Sequence, residues 1–428
     1  MFLNQAPAII NKFSYKMRLI ITYILLFSFE TTLAQSDMNF LYGTKLDSLS
    51  YEKRRIESFF GLKLTIDGNT KFRSCTLVQG VDLESPTFKG KVDFSNSLFL
   101  QKADFQKPEF LKSSYFNNSV FYKGANFSGV IFSKTANFSG AQFLDNVDFS
   151  DSEFSEIVYL NNAIFPQKLT FNGARFGEVP NFDFAQLPDS LILNNVNLSS
   201  IKSNIFFNNM ELDSLRKRTG NLNQKCTIFL HHVDFSKIVI NFEKFKLGFN
   251  ESTNYEDRVS QYQQLIKRCQ DLGMESSVEG FSIVLQKLKL QQAWGTFAPF
   301  FIKFQYYWWN FGFKRSLILR NIIFAFLISF IIFFIGFKKF ALVYFPVDQL
   351  GLTSKDALIL CYNRSLINQI NNRFKIVLFY TALIFFGWKM DHSKVNYRAY
   401  PWTSILVYLI YVVGLIHIAY LVGFVIDH

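Results

Sequence analysis

The amino-acid sequence predicts an all-β solenoid, followed by an α-helical hairpin and a transmembrane helical region. Three observations lead to this fold class. Phenylalanine, with 53 copies in 428 residues, recurs at alternating steps of five and six between residues 70 and 201. Apolar residues then take helical spacing after Asn250, and the C-terminal part of the chain holds two long apolar runs.

The repeat is clearest in residues 125–146, ANFSGVIFSKTANFSGAQFLDN, where Ala125-Asn126-Phe127 returns as Ala136-Asn137-Phe138. An eleven-residue frame of this kind fits twelve times between Thr70 and Ile201. Its regular positions form a ladder of large residues that we expect inside the fold: Phe94, Phe99, Phe105, Phe110, Phe116, Phe121, Phe127, Phe132, Phe138, Phe143, Phe149 and Phe154.

Steps of five and six fit neither a strand nor an α-helix, whereas a short repeat sustained over many copies is typical of a solenoid. Within each short strand, a small residue such as Ala125 and the large Phe127 point the same way, and Asn126 between them points outward. Burial of each ring stabilises the fold by roughly 2–3 kcal/mol relative to solvent exposure. Stacked coils therefore form a filled tube that needs no enzyme-like cavity.

The repeats ADFQKPEF, ANFSGVIF, ANFSGAQF and VDFSDSEF resemble the pentapeptide-repeat family, whose motif is A-(D/N)-(L/F)-x-x, in its Phe-rich subtype with alternating five and six. The resemblance implies a right-handed, four-sided β-helix with 22 residues per coil, and hence six coils between residues 70 and 201. Cytosolic members of the family protect topoisomerases by imitating DNA. Residues 70–201 carry 13 acidic and 11 basic side chains, far from the negative charge density of a DNA duplex, which argues against this function for the present chain.

The expected order of domains starts with a signal peptide at 1–34, because Lys12, Lys16 and Arg18 precede the apolar stretch 19–29. An uncleaved N-terminal anchor is the alternative. An N-terminal cap at 35–69 is expected to hold a short helix within 48–64. The remaining expected segments are the solenoid at 70–201, an insertion and final coil at 202–250, a helical hairpin at 251–292 and a membrane region at 293–428.

Within the membrane region, helices are expected at about 317–337, 374–390 and 403–426. The last of these is the clearest span, because 24 consecutive residues without a charged side chain are long enough to cross a bilayer. His417 lies inside it. A functional role is one interpretation of this histidine, and a structural hydrogen bond to a neighbouring helix is the other.

Basic residues are concentrated near the apolar runs: residues 287–428 hold fifteen Lys and Arg against four Asp. Such residues mark membrane topology, so the composition favours a lipid bilayer and not nucleic acid as a partner. Six of them fall in the loop 338–375, which the positive-inside rule assigns to the cytoplasm. The solenoid is then expected on the extracytoplasmic side of a bacterial cell envelope.

The C-terminal segment is also similar to the two-helix ion-channel modules that follow pentapeptide repeats in some bacterial proteins. The motifs NFGFKR and FFGWKMD carry this resemblance, which implies that 376–388 is a re-entrant pore helix. The T-x-G-Y-G filter sequence of those modules is absent. The pore candidates implied by position are Phe385, Phe386, Gly387, Trp388 and Asp391.

No catalytic motif is present, the four cysteines lack metal-ligand spacing, and neither a metal nor a cofactor is expected. The sequence therefore predicts a membrane-anchored, non-catalytic protein that presents the solenoid to a protein partner. The alternative is a pore or channel subunit. Each face carries similar Asn, Ser and Lys, so the partner, the oligomeric state and the binding face stay open.

Overall fold

The computed structural model describes residues 41–42, 45–57, 59–165, 167–314, 316–346, 351–362, 366–387, 390–398 and 400–426. The expected signal peptide at 1–34 lies outside these residues. The chain divides into two compact units, Met1–Leu285 and Gln286–His428. Each unit is described by itself.

The first unit is a parallel β-solenoid of about nine coils, followed by helices, as predicted. Within the described residues, the strands form four parallel sheets, here numbered I to IV, of ten, seven, six and five strands, and one further pair. Along the regular part, each strand pairs with the strand 22 residues later; Ala103 is opposite Ala125, and Val92 is opposite Ser114. The coil length is therefore the one that the repeat implied.

The strands are short, and most have two residues. Sheet I contains Leu41–Tyr42, Phe59–Leu62, Val81–Glu84, Ala103–Gln106, Ala125–Asn126, Val147–Asp148, Lys168–Thr170, Ser190–Ile192, Cys226–Phe229 and Phe245–Leu247. Sheet II contains Lys45–Leu46, Thr65–Ile66, Thr87–Phe88, Glu109–Phe110, Ile131–Phe132, Glu153–Phe154 and Arg175–Phe176. Sheet III contains Leu49–Glu52, Thr70–Arg73, Val92–Asp93, Ser114–Tyr115, Ala136–Asn137 and Val158–Tyr159. Sheet IV contains Arg55–Ile56, Thr76–Leu77, Leu98–Phe99, Val120–Phe121 and Gln142–Phe143, and the pair joins Ile205–Phe206 to Ile238–Val239.

The interior is a column of stacked rings, and every phenylalanine of the predicted ladder is buried. Phe105 and Phe127, one coil apart, lie with ring centroids 5.1 Å apart and planes within 4° of parallel. Rings from adjacent faces meet edge to face, as Phe116 and Phe127 do at 5.4 Å. Each such pair adds about 0.5–1.5 kcal/mol to the burial of the rings themselves. Packing between successive coils therefore holds the tube together.

The polar residue between the small and the large residue closes a local turn. The side chain of Asn126 accepts a hydrogen bond from the Ser128 amide at 3.0 Å, and Asp148 accepts one from Ser150 at 2.8 Å. This is an Asx turn, which satisfies a backbone donor at these corners of the coil. The D/N position of the motif is thus explained by hydrogen bonding at the corner.

The coil extends further toward the N-terminus than expected. The short helix predicted within 48–64 is wrong: Leu49–Glu52, Arg55–Ile56 and Phe59–Leu62 are strands in the same sheets as the repeats. Ile56 and Phe59, whose spacing also suits one side of a helix, are buried in the solenoid interior. These residues form strands and not a helix because each strand pairs in parallel with a strand of the next coil.

The segment after residue 201 combines an insertion with further coil. Helix α1, Asp213–Thr219, is the main departure from the repeat. The chain then returns to sheet I at Cys226–Phe229 and Phe245–Leu247, both within the expected segment 202–250. Two 3-10 turns, Phe207–Asn209 and Phe235–Lys237, complete the segment.

The predicted helical hairpin is present as α2, Tyr255–Asp271, and α3, Glu275–Trp294. The Asn254 side chain caps α2 by accepting from the Asp257 amide at 2.8 Å. The hairpin packs on the last coil: Phe242 meets Phe281 edge to face at 5.2 Å, and Arg268 donates to Asn204 at 2.8 Å. It covers the end of the ring column, as stacked solenoids require.

The second unit is helical. Its helices are α4, Ala298–Trp309; α5, Ser316–Val343; α6, Ser354–Tyr362; α7, Leu366–Phe385; and α8, Pro401–Ile426. Short 3-10 turns lie at Gly295–Phe297, Asn310–Gly312 and His392–Lys394. Helices α5, α7 and α8 pack on one another around Phe333, Phe337, Tyr380 and Val407, all fully buried.

Candidate functional site

The solenoid offers its outer surface for function, because its interior is filled by side chains. The twelve ladder residues of the sequence prediction all lie inside, so none of them is available to a ligand. Among the described residues, no group of three or more His, Cys, Asp and Glu is placed to hold a metal ion. The four cysteines are buried and form no disulfide among the described residues, and burial raises the pKa of the Cys269 thiol to about 11. Such a thiol is a poor nucleophile at neutral pH.

One shallow depression on the solenoid surface is built mainly from side-chain amides. It has a volume of about 490 Å³, and we call it the amide cleft. Its lining residues are Asn137, Ser139, Tyr159, Asn161, Asn162, Asn181, Asp183 and Phe184.

Sheet III and the corner that follows it position these residues. Asn137 pairs with Tyr159, and Tyr159 with Asn181, so the three stand one above another in successive coils. At about 4.8 Å per coil, this column is about 10 Å tall. Two residues further along each coil, Ser139, Asn161 and Asp183 form a second column beside the first.

Hydrogen bonds hold the columns in place. The Oδ1 atoms of Asn137 and Asn181 accept from the Ser139 and Asp183 amides, both at 2.9 Å. Ser139 Oγ donates to Asn161 Oδ1 at 2.7 Å, and Asn209 donates to Asp183 Oδ1 at 2.6 Å. The amide carbonyls of Asn137 and Asn181 are thus used in the turn, and their Nδ2 groups have no hydrogen-bond partner among the described residues. The cleft therefore presents amide donors in a fixed arrangement.

Phe184 stands at one edge of the cleft in an unusual backbone conformation. It has φ +59° and a 63% exposed side chain. The equivalent corner residues of earlier coils, Asn96, Asn118, Gly140 and Asn162, also have positive φ, which Asn and Gly tolerate. A bulky residue there is an outlier, and an exposed ring gains little from burial. The strain at Phe184 therefore has no compensation within the coil, and such outliers cluster at functional sites.

The second unit has an apolar exterior. Ile323, Ile331 and Ile335 of α5 are each more than half exposed, and so are Ile405 and Leu409 of α8. Two helices, Ser316–Val343 and Pro401–Val422, are long and apolar enough to cross a membrane. Buried polar side chains instead face inward: Thr381 Oγ1 donates to the Val377 carbonyl at 2.7 Å, and Ser404 lies inside as well.

Contacts along α5 and α8 show that the two helices run in opposite directions. The Asn396 amide, shortly before α8, donates to the Val343 carbonyl at the end of α5, at 2.8 Å. Near the other end of α8, the His417 ring lies 4.6 Å from that of Trp308, which precedes α5. The segments before α5 and at the C-terminal end of α8 are therefore on the same side of the helix pair.

Helix α7 packs against both of these helices. In its first half, Arg373 lies 4.5 Å from the Phe334 ring of α5 and 5.2 Å from the Tyr362 ring of α6. At its end, Phe385 meets Phe326 and His417, near the middle of α5 and two thirds of the way along α8, with ring centroids 5.7 and 5.8 Å apart. The chain then returns, because the Asp391 amide donates to Tyr344 Oη at 3.2 Å, beside the end of α5.

The pore candidates lie around this return. Phe385 is buried, Phe386 is exposed, and Gly387 has φ +66° at the turn that ends α7. Asp391 caps the 3-10 turn, where its side chain accepts from Ser393; these bonds lower its pKa. Trp388 lies outside the described residues. Helix α7 has 20 residues, Leu366–Phe385, so it begins well before the apolar run 376–388 and includes the more polar segment that precedes it.

His417 is buried within the second unit. Its Nδ1 lies 2.6 Å from the Val413 carbonyl, so the ring donates a hydrogen bond within its own helix and not to a neighbouring helix, as the structural interpretation had expected. Within the part of the chain that the structure describes, its Nε2 and the nearby Trp308 Nε1 have no hydrogen-bond partner.

Sequence reasoning missed the amide cleft, because it treated the outer residues of every face as equivalent. Two signals were available in the repeat frame. Tyr159 occupies an outward position that Asn holds in neighbouring coils, and Phe184 occupies a corner position that Asn or Gly holds. Their meeting in adjacent coils is a property of the stacked structure.

Comparison with known proteins identifies the repeats. Residues 94–142 and 138–186 match the family model described as "Pentapeptide repeats (9 copies)". Among solved structures, the chain is similar to full-length QnrB1, described as a plasmid-mediated fluoroquinolone resistance protein, with 11% identity and a TM-score of 0.15. That match covers 55% of this chain and 99% of QnrB1. A comparison with curated proteins gives no match.

Proposed function

We propose that this chain, whose repeats are those of the pentapeptide-repeat family, is a membrane-anchored protein that presents its solenoid as a rigid, non-catalytic interaction surface. The observation that carries the proposal is the apolar exterior of the second unit. Large apolar side chains cover the outside of α5 and α8, whereas Thr381, Ser404 and His417 are buried. In water, this arrangement would expose an apolar surface far larger than soluble monomers show.

The solenoid is proposed to lie on the extracytoplasmic side of a bacterial membrane. The basic residues of 338–375 support this orientation, because cytoplasmic loops carry an excess of Lys and Arg. The return of the chain at Asp391 strengthens the argument. If both loops that follow α5 lie on one side, Lys394 and Arg398 add to the positive charge on that side.

Membrane integration is tested by alkaline extraction of membranes from cells that express the full chain. We expect the protein to stay in the membrane pellet and to be released by detergent. The variant Ile331→Lys/Ile335→Lys introduces two charges on the exposed face of α5, each at a cost of about 2.5–3.5 kcal/mol on insertion scales. It should reduce the pelleted fraction, whereas the control Ile131→Lys on the solenoid should not. Release of the wild-type chain by alkali alone would contradict membrane anchoring.

Sidedness is tested with a cysteine on the solenoid. The described native cysteines are buried, so a single exposed cysteine, Ser155→Cys, reports its own position. An impermeant maleimide added to spheroplasts should label it without lysis. Labelling only after lysis would reverse the proposed orientation.

A pore or channel subunit is the second candidate, and one observation favours it. Helix α7 ends at Phe385, beside Phe326 of α5 and His417 of α8. In the channel proposal, this end belongs to a segment that re-enters between the two antiparallel helices. The negative end of a helix dipole at that position favours a cation. Purified full-length protein in planar bilayers should then give reproducible single-channel openings that Gly387→Val abolishes and Ile131→Asn leaves unchanged. If the protein is inserted into the bilayer but no channel openings are recorded, the channel function is rejected and only the anchored scaffold function remains.

A further inference from the structure

We propose that the amide cleft is a saccharide-binding site, with Phe184 as its stacking platform and the side chains of Asn137, Tyr159 and Asn181 as its main hydrogen-bonding groups. The inference deepens the proposed function, since it names the chemical class of partner that the solenoid surface would meet outside the cell. It depends on three properties of the cleft.

The first property is the type of polar group. Sugar hydroxyls are neutral and act as donors and acceptors together, so they pair well with neutral amides and hydroxyls. The cleft contains four asparagines, a serine and a tyrosine, with Asp183 as its sole formal charge. Asp183 also accepts from Asn209. A site for phosphate or for nucleic acid would require basic side chains, and none lines this cleft.

The second property is preorganisation. The Asx turns fix the Oδ1 atoms of Asn137 and Asn181, and so orient both amides before any ligand arrives. A rigid set of donors loses little conformational entropy on binding. The spacing comes from the coil rise, so Asn137 and Asn181 are about 10 Å apart along the axis with Tyr159 between them. Such a row is suited to a short oligosaccharide that lies along the column.

The third property is the exposed ring of Phe184. The face of an aromatic ring is electron-rich, and the C–H bonds on one side of a sugar ring present a weakly positive, apolar surface. The ring stands beside Asn162 and Asp183 at the edge of the same cleft. A pyranose can therefore stack on Phe184 while its hydroxyls reach the amide columns. This use explains why a residue with an unfavourable backbone conformation occupies the corner.

Binding is tested with the detergent-purified full chain and two sets of probes. One set contains β-1,4-linked N-acetylhexosamine oligosaccharides, as found in cell-wall glycan. The other contains neutral hexose oligosaccharides, as found in surface polysaccharide. Titration calorimetry with each set should show saturable, one-site binding by at least one of them, and the preferred set identifies the source.

Two variants assign the binding to the cleft. Phe184→Asn removes the ring and restores the residue of the preceding coils, and Asn181→Asp keeps the acceptor of the Asx turn but removes the amide donors. Each should weaken binding at least tenfold. The matched controls are Ile131→Asn, an exposed apolar residue on sheet II, and Asn197→Asp, whose side chain accepts from the Ser199 amide in the same kind of turn. Both should bind as the wild type does.

Three results would overturn the inference. They are the absence of binding to both probe sets, equal binding by the cleft variants and the controls, and binding of an unmodified peptide library to the cleft in place of sugars. Because the titration uses purified protein, its result is independent of membrane orientation. Failure of the alkaline-extraction test would reject the anchor and leave saccharide binding standing.

Discussion

The carbonyl group of Phe385, at the end of α7, lies directly against Gly414 in the middle of α8. A Cβ atom at position 414 would be 1.6 Å from the Phe385 oxygen and 2.5 Å from its carbonyl carbon. The close approach requires glycine, because a methyl group would have to displace backbone on either side. This contact is where the end of α7 meets α8.

Replacement of Gly414 by alanine should therefore separate α7 from α8. Overpacking in cores costs roughly 1–3 kcal/mol, and a clash with backbone belongs at the upper end of that range. We expect Gly414→Ala to lower the melting temperature of the full chain in detergent. Tryptophan fluorescence during heating measures this temperature. Val412→Ala, at an exposed position of the same helix, is the control. Equal melting temperatures for the two variants would contradict the contact.

The ring column should respond strongly to the loss of one ring. Phe127 stacks between Phe105 and Phe149, with centroids 5.1 and 5.0 Å away. Phe127→Ala should reduce the free energy of unfolding by about 3–5 kcal/mol, and Phe127→Leu by clearly less, because leucine fills most of the space. Urea unfolding monitored by far-UV circular dichroism measures both. Phe184→Ala, at an exposed ring, should show no comparable loss.

Relief of the strained corner should raise stability while it removes binding. Asparagine adopts the left-handed conformation more readily than other residues, and the penalty for a bulky residue there is about 1–2 kcal/mol. Phe184→Asn is expected to increase the free energy of unfolding by about that amount. The reverse change one coil earlier, Asn162→Phe, should lower it similarly, since Asn162 has φ +57°. A decrease in stability for Phe184→Asn would show that the ring supports the fold.

Asp82 should make stability depend on pH in the acidic range. Desolvation, and then the charge of Asp104, raise the pKa of Asp82 above its ordinary value of 3.8. The folded state thus holds the proton more tightly than the unfolded state, so stability falls as pH rises from about 3.8 through the folded pKa. Asp82→Asn should be more stable than the wild type at pH 7 and equally stable at pH 3. Equal melting temperatures at pH 7 would contradict this assignment.

Re-entry of α7 can be separated from a full crossing by cysteine labelling. Lys355 lies in α6 before α7, and Ser393 lies in the turn after it; both are exposed. If α7 re-enters, impermeant maleimide should label Lys355→Cys and Ser393→Cys from the same side of the membrane. Labelling from opposite sides would mean that α7 spans the bilayer, in agreement with three crossing helices and against a pore loop.

Much of the solenoid could be predicted from particular residues. Ala125, Asn126 and Phe127 and their return at 136–138 predict which residues are buried. The 22-residue register, which the pairing confirms, is what the resemblance to the pentapeptide-repeat family implied. The prediction was wrong at the N-terminal edge, where Ile56 and Phe59 also suit one side of a helix. There, the deciding interaction is pairing with the next coil, which local spacing does not contain.

The sequence alone determined the periodic part of this protein, because a repeat places identical chemistry at identical intervals and stacking then has one solution. Only the tertiary structure decided what depends on distant residues. It brought Tyr159, Asn181 and Phe184 into one cleft, and it set Phe385 against Gly414 at the end of α7. Hydrophobic spacing records which side of an element is buried, but the partner that buries it is chosen by packing across the whole fold.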